Sequence, residues 1–365
     1  MKVAIFGYGT VGKGLEKIID AHPDFNVEYI FVRKEKESLP KFTNDLSIID
    51  KVDIIFECLN GLEPANEIIR KGLMAKKCVI TSNKMVVANY LDDYLELSNK
   101  YGGILQVEAC VAGGIPFIDA LLKLKDLEDI KGFVGIFNGT SNFILDSMFK
   151  ENMDFNVALS KAQELGYAEK DPTNDIEGID VMYKTMIATS IAYSCKLHKV
   201  NSVTGISKIT KQDIDYAKAN NKVIKQLALS KHEGNKMDCL VIPCFLDKDN
   251  YLANIPLNYN GQLIYTNSEG SLGYYGQGAG SMPTASAMVL NALDYKHNTV
   301  RKLTNQQNII TDKLIRADFI VRSDSKLDGV YHDGYYFFEN KDSDFIQEIK
   351  NKDSKAMIAI WRMYD

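Results

Sequence analysis

KVAIFGYGTVGKGLEKII, residues 2–19, is the stretch whose reading decides the fold. Lys2 to Phe6 is a short apolar strand, and the helix pattern that follows carries Leu15, Ile18 and Ile19. Between them stands Gly7-Tyr8-Gly9-Thr10-Val11-Gly12, a G-x-G-x-x-G turn. Strand, tight turn and helix N-terminus are the context a dinucleotide needs. The first glycine permits the turn, the second lets backbone approach pyrophosphate, and the third lets helix and strand pack closely. A tight βα turn without a ligand would use the same residues. The setting favours a nicotinamide or flavin nucleotide, with Gly7, Gly9, Thr10, Val11 and Gly12 as its contacts.

The next strand, Val27 to Val32, ends in Arg33 and Lys34. A site built for NAD usually has Asp or Glu there, accepting from the ribose hydroxyls and repelling a 2′-phosphate. Arg33 and Lys34 point instead to NADP, with NAD as the alternative. A solvated loop of alternating charge, Arg33 to Glu37, would read the same way.

Length and charge narrow the class. With 365 residues there is room for two domains and a sizeable core. The 43 basic and 48 acidic residues leave a formal net charge of -5, which carries no nucleic-acid footprint. Glycine interrupts the first apolar run at Gly7, so no signal peptide is expected, and no run approaches membrane-spanning length. The six cysteines contain no C-x-x-C pair and several lie in apolar strands, which fits reduced thiols in a cytoplasmic protein. Five scattered histidines indicate neither a zinc cluster nor a histidine relay.

Strand and helix patterns alternate over the first 130 residues: strands at 52–58, 78–81 and 104–107, helices at 64–72 and 90–101. Such alternation implies an α/β fold with a Rossmann-type, doubly wound parallel sheet. Ligands of such sheets bind beyond the carboxyl ends of the strands, so the loops there carry the chemistry. Asn60-Gly61 follows one strand, and Thr81-Ser82-Asn83-Lys84 the next. Lys84 sits where a lysine could reach cofactor or substrate oxygen, although a surface lysine at a helix start is the plainer alternative. Glu108 to Pro116, EACVAGGIP, offers a carboxylate and then backbone carbonyls in a Gly-rich turn. Hard cations favour such oxygens, and a tight crossover turn explains the glycines equally well.

From about Lys131 the pattern changes. Gly132 to Phe137 is strand-like and ends in Asn138-Gly139-Thr140-Ser141-Asn142, ahead of an apolar helix. A polar turn at a helix N-terminus can cradle a carboxylate, while an ordinary N-cap by Thr140 or Ser141 would need the same residues. Further strand-like runs at 239–245 and 262–266 extend a second, α+β domain. Gly276 to Gly280 then feeds another helix, returning the chain to the nucleotide domain with Gly280 as a further cofactor contact. The expected organisation is a dinucleotide-binding domain at 1–130 and 283–312 and a catalytic and dimerisation domain at 131–282. Residues 313–365 are left as a short C-terminal extension.

Gly166 to Lys184, GYAEKDPTNDIEGIDVMYK, carries the densest chemistry. A helix starting near Thr173 or Asp175 would put Glu177, Asp180 and Lys184 on one stripe. The apolar run Met182 to Ala192 marks that helix as buried, where lysine and aspartate are costly unless paired or used. Glu169, Asp171 and Asp175 precede it. Several carboxylates beside a desolvated lysine suit a substrate that carries an ammonium and needs a proton. An acidic helix start satisfying the dipole, with Lys184 snorkelling to solvent, is the structural alternative.

Taken together, GYGTVG at 7–12, TSNK at 81–84, EACVAGGIP at 108–116, NGTSN at 138–142, the 166–184 block and GQGAGSMPTASA at 276–287 resemble the homoserine dehydrogenases in order and spacing. The likeness runs from residue 1 to about 300, and the 166–184 block is its most specific part. It implies reduction of L-aspartate 4-semialdehyde to L-homoserine with NAD(P)H, in threonine and methionine biosynthesis. It further implies Lys184 as proton donor, Lys84 as its partner near the nicotinamide, and Glu169 and Asp175 near the substrate ammonium. Asp180 would help orient the substrate, and Asn138, Gly139 and Thr140 would line its pocket. Glu108, Val111, Gly113 and Ile115 match a structural monovalent-cation loop, usually sodium, and a homodimer paired through the second domain's sheet is expected. Many relatives end in an ACT domain; only about 50 residues remain here, a reduced ACT-like remnant or a sheet extension. No kinase module is present, so the resemblance is to monofunctional members. Another Rossmann reductase, or an idle nucleotide sensor, remains the alternative.

Overall fold

Alternation at the start of the chain folds as a parallel sheet in the computed structural model, which describes residues 1–32, 40–304 and 309–364. Arg33 and Lys34 lie outside the described residues. The strands are β1 (Lys2–Phe6), β2 (Asn26–Phe31), β3 (Phe42–Thr43), β4 (Ile54–Glu57), β5 (Cys78–Thr81) and β6 (Ile104–Gln106). Their order is β3-β2-β1-β4-β5-β6, with every pair parallel. Strand order reverses between β1 and β4, the switch point at which such sheets take ligands. Helices α1 (Thr10–Asp20), α2 (Ala65–Met74) and α3 (Lys84–Tyr101) connect them, and α4 (Phe117–Lys125) follows β6.

Strands buried on both faces read as continuous apolar runs, and Val3 to Phe6, Ile54 to Phe56 and Cys78 to Ile80 are each fully buried. Glu57 breaks the rule: it ends β4 with a fully buried carboxylate. Helix α3 begins at Lys84, six residues ahead of the expected 90–101, because Asn83 caps it by accepting from the Val86 amide at 3.2 Å.

The chain divides into two compact units, Met1–Leu127 with Ser190–Lys196 and Gln277–Gln306, and Glu128–Thr189 with Leu197–Gly276 and Gln307–Asp365. In the second lie β7 (Gly132–Ile136), β8 (Ser202–Val203), β9 (Lys222–Glu233), β10 (Lys236–Asp247), β11 (Asn260–Tyr265) and β12 (Ser271–Gly276). Residues 313–365 add β14 (Ala317–Arg322), β15 (Val330–His332), β16 (Tyr335–Lys341) and β17 (Met357–Met363), just after the short β13 (Ile310–Thr311). The path through this mixed sheet is β12-β11-β7-β9-β10-β17-β14-β16-β15, with β8 and β13 paired to β10. Strands β9 and β10 form a long hairpin closed by Gly234 and Asn235.

Helices α5 (Gly139–Lys150), α6 (Phe155–Glu164), α7 (Thr173–Ile176) and α8 (Ile179–Tyr193) follow β7, and α9 (Lys211–Ala219) precedes β9. Further on, α10 (Ser281–His297) belongs to the first unit, and α11 (Ser343–Lys352) precedes β17. Two sequence expectations are corrected here. The cap of α5 is Asn138, whose side chain accepts from the Ser141 amide at 2.7 Å, rather than Thr140 or Ser141. The helix expected to run from Thr173 through Lys184 breaks in two at Gly178, where φ is +78°. Glu177 therefore sits at the end of α7, while Asp180 and Lys184 share α8 four residues apart. An added Cβ at Gly178 would also lie 2.9 Å from the Gln226 amide nitrogen, so the break is built into the packing.

Six cysteines are free thiols, five of them buried and Cys58 half-buried. Among the described residues no helix is long and apolar enough to cross a membrane.

Candidate active site

In the first unit, Gly7 holds φ at +102°, and a Cβ on Gly12 would lie 2.1 Å from the Gly7 carbonyl oxygen. The turn closes only with glycine at both places. Helix α1 starts from Gly9 with no side-chain cap and no acidic residue in its first turn, so its leading N–H groups are not claimed by a side chain. A Cβ on Gly9 would meet nothing within 4 Å, which leaves room over those amides. Uncapped N–H groups with open space above them fit a pyrophosphate. Thr10 and Val11 form the first helical residues of α1, and the Thr10 carbonyl accepts from the Ser281 hydroxyl at 2.6 Å. That bond sets Gly280, at the N-terminus of α10, beside the glycine turn.

The expected cation loop follows β6. Its Glu108 is buried and accepts from the Ile118 and Asp119 amides at 3.0 and 2.7 Å, so its carboxylate caps α4. Burial, and then the Asp119 carboxylate, push Glu108 up to about 8; burial and Asp294 also raise Asp119. Val111, Gly113 and Ile115 are within the turn, in which Ala112 and Gly113 take left-handed φ of 58° and 57°.

The second unit assembles the remaining residues. Lys184 on α8 is 7 % exposed, and its ammonium donates to the Asp180 carboxylate at 2.8 Å and to the Phe137 carbonyl at 2.6 Å. One of its three N–H donors has no partner among the described residues. The Asn138 amide bridges α7 and α8, donating to Asp175 at 2.6 Å and to Asp180 at 2.9 Å. Gly139 opens α5, and a Cβ there would lie 2.5 Å from the Asn258 carbonyl oxygen. Thr140 donates to the Tyr167 carbonyl at 2.6 Å, tying α5 to the 166–172 loop. Asn138, Asp175, Asp180 and Lys184 are thus one network. Glu169 lies exposed on that loop, outside the network's described hydrogen bonds, and Asp171 accepts from the Thr173 amide at 3.1 Å and hydroxyl at 2.6 Å.

Sequence reasoning missed the Phe137 carbonyl, because no side-chain signal marks a main-chain acceptor. It also missed a buried support behind α5. Fully buried Lys225 donates to Asn142 at 2.8 Å and to the Ile255 carbonyl at 2.7 Å, with Asp146 at 3.8 Å. A lysine inside the apolar run of β9 was the available signal.

A family model described as homoserine dehydrogenase matches residues 116–293. The Bacillus subtilis homoserine dehydrogenase is 34 % identical over 308 residues, spanning 79 % of this chain and 71 % of that one. The chain belongs to the homoserine dehydrogenase family. A crystal structure of the Thiobacillus denitrificans homoserine dehydrogenase superposes with a TM-score of 0.82 at 32 % identity, covering 88 % of this chain and 82 % of that one. A hyperthermophilic archaeal homoserine dehydrogenase, solved in complex with NADPH, gives a TM-score of 0.71 at 26 % identity, covering 83 % and 99 %. Homoserine dehydrogenases are NAD(P)-dependent oxidoreductases, and this chain is one.

The glycine turn makes a direct test. Gly12→Ala is expected to weaken NADPH binding more than tenfold in a fluorescence titration, since the turn must open by over an ångström to admit the methyl. Tenfold is about 1.4 kcal/mol, less than several N–H bonds to phosphate supply. Unchanged affinity would remove this turn from the nucleotide site.

Proposed function

We propose that the chain reduces L-aspartate 4-semialdehyde to L-homoserine with Lys184 as proton donor, and that the glycine turn at 7–12 takes NADP. The observation that supports this reading most is the unassigned N–H of Lys184, on an ammonium otherwise fixed by Asp180 and Phe137. When bound, the nicotinamide nucleotide supplies the hydride. Negative charge then develops on the aldehyde oxygen, where the buried Lys184 ammonium stabilises and protonates it. Asp180 holds that ammonium in place, and Asn138 holds Asp180 while sharing its amide with Asp175. Asp175 and Glu169 would grip the substrate ammonium, and Gly139 and Thr140 would line the pocket. Lys84, the first residue of α3, is assigned to the nicotinamide end. Arg33 and Lys34 would read the 2′-phosphate.

A monovalent cation, sodium by family resemblance, would be held by Glu108 with Val111, Gly113 and Ile115; the buried Glu108 carboxylate beside a turn held in left-handed φ at Ala112 and Gly113 supports it. A homodimer paired through the second unit's sheet completes the reading.

Steady-state oxidation of NADPH and NADH with the semialdehyde tests it on purified protein. Faster turnover with NADPH is expected. Turnover with NADH alone would keep the reaction and discard Arg33 and Lys34 as readers of the phosphate. Silence with both nucleotides would sink the reaction.

A further inference from the structure

Among the described residues Glu57 is the one buried charged side chain in the parallel strands, and nothing in the mechanism above uses it. It ends β4 fully buried, at the carboxyl edge of the sheet where the ligand loops begin. Its carboxylate makes two bonds in two directions. One oxygen accepts from the Leu59 amide at 2.8 Å, in the loop after β4. The other accepts from the Thr81 hydroxyl at 2.5 Å, at the end of β5. Its main-chain oxygen takes the Ser82 amide at 3.1 Å as well.

The bonds continue from there. Fully buried Thr81 accepts from the Asn83 amide at 3.0 Å. The Asn83 side chain then donates back across the gap, to the Leu59 carbonyl at 3.0 Å and the Gly61 carbonyl at 2.8 Å. Its oxygen caps α3 through Val86. The result is a closed ring, Glu57–Thr81–Asn83–Leu59, that ties two neighbouring loops together. Lys84 is the next residue along, the first of α3, and its own amide donates to Ser82 at 3.2 Å. A carboxylate buried without a cation is expensive to keep, and two hydrogen bonds only partly offset the cost. A leucine at this position would pack in the apolar interior with no such penalty, but it could not hold both loops.

We propose that Glu57, Thr81 and Asn83 form a positioning clamp that fixes Lys84 and the 59–61 loop for hydride transfer. None of the three is placed here against substrate or nucleotide; they act through Lys84. The inference rests on the proposed function, since it presumes that Lys84 serves the reaction.

Because the clamp acts through Lys84, its removal should matter only while Lys84 is present, and a double-mutant cycle separates that from general loosening. Thr81→Val keeps the shape and deletes the hydroxyl, Thr81→Ser restores it, and each is made in wild-type and Lys84→Ala backgrounds. The readouts are kcat and KM for NADPH oxidation with the semialdehyde, and NADPH affinity by fluorescence. In the wild-type background Thr81→Val should lower kcat by about tenfold or more, as small misplacements of a reacting group do. The KM for semialdehyde should stay within about twofold, and Thr81→Ser should return kcat to within about threefold. In the Lys84→Ala background Thr81→Val should cost less than about twofold further. An equal loss in both backgrounds, or a folded Thr81→Val with kcat near wild type, would overturn the clamp. Should Thr81→Val fail to fold, Glu57→Gln, which keeps an acceptor for Leu59, is read in the same cycle by the same criteria. A silent wild type would sink the proposed reaction and the clamp together; an active wild type with an indifferent Thr81→Val sinks the clamp alone.

Discussion

Lys184→Ala is expected to lower kcat for semialdehyde reduction by roughly 10²–10⁴-fold, the range that a positioned proton donor contributes. The ammonium is buried and aimed by two acceptors, so water cannot stand in for it with the same geometry. NADPH affinity should stay within about threefold, because the amides assigned to the nucleotide are those of the 7–12 turn and not of Lys184. Lys184→Arg should rescue little, since a guanidinium keeps its charge but gives up a proton only at very high pH. Steady-state kinetics with a fluorescence titration of NADPH decide the matter. A Lys184→Ala enzyme within about threefold of wild type would end the role assigned to this residue.

Asp180→Ala should be among the most destabilising single changes in the second unit, at about 3–5 kcal/mol, because it leaves the Lys184 ammonium buried without its carboxylate. Asp180 is 6 % and Lys184 7 % exposed, so solvent does little to screen either. Removing both charges should behave differently. Asp180→Ala combined with Lys184→Met should recover most of the lost stability, as apolar replacement of a buried pair often does, while activity stays abolished. Urea unfolding followed by circular dichroism, with kcat measured on the same samples, gives both quantities. If the double variant is no more stable than Asp180→Ala, the cost lies in lost packing or in the Asn138 bond, not in the stranded charge.

Local sequence carried the parallel strands of the first unit, while α4 and the short β3 went unread. The apolar runs at 2–6, 54–57 and 78–81 are buried on both faces, and that burial is what makes them readable without partners. The network of Asn138, Asp175, Asp180 and Lys184 was half legible. Asp180 and Lys184 stood out as charges on a buried helix, but their union with Asp175 runs through the Asn138 amide from β7's far end, 37 and 42 residues away in sequence. Gly178 was misread because a helical pattern continues across it; the break lies in its left-handed φ of +78°, which no local pattern marks. Glu57 escaped notice for a related reason. A glutamate closing a four-residue strand looks like an ordinary edge charge until Leu59 and Thr81 are seen to converge on it. Residues 313–365 read as an ACT-like remnant or a sheet extension, because their place in the β9–β10 sheet depends on pairings that no local pattern encodes.

The position of β17 has a consequence for the order in which the second unit can be made. Met357–Met363 lies between β10 and β14, so two segments translated much earlier meet only through one translated later. Until that strand leaves the ribosome, β10 around Cys244 and β14 along Ala317–Arg322 lack the neighbour they share. Apolar edges exposed during synthesis are where nascent chains pair wrongly or meet chaperones. The first unit's βαβ run has no such wait before α10. Loss of the last dozen residues would therefore act less like trimming a tail than like pulling a stave from the middle of a cask.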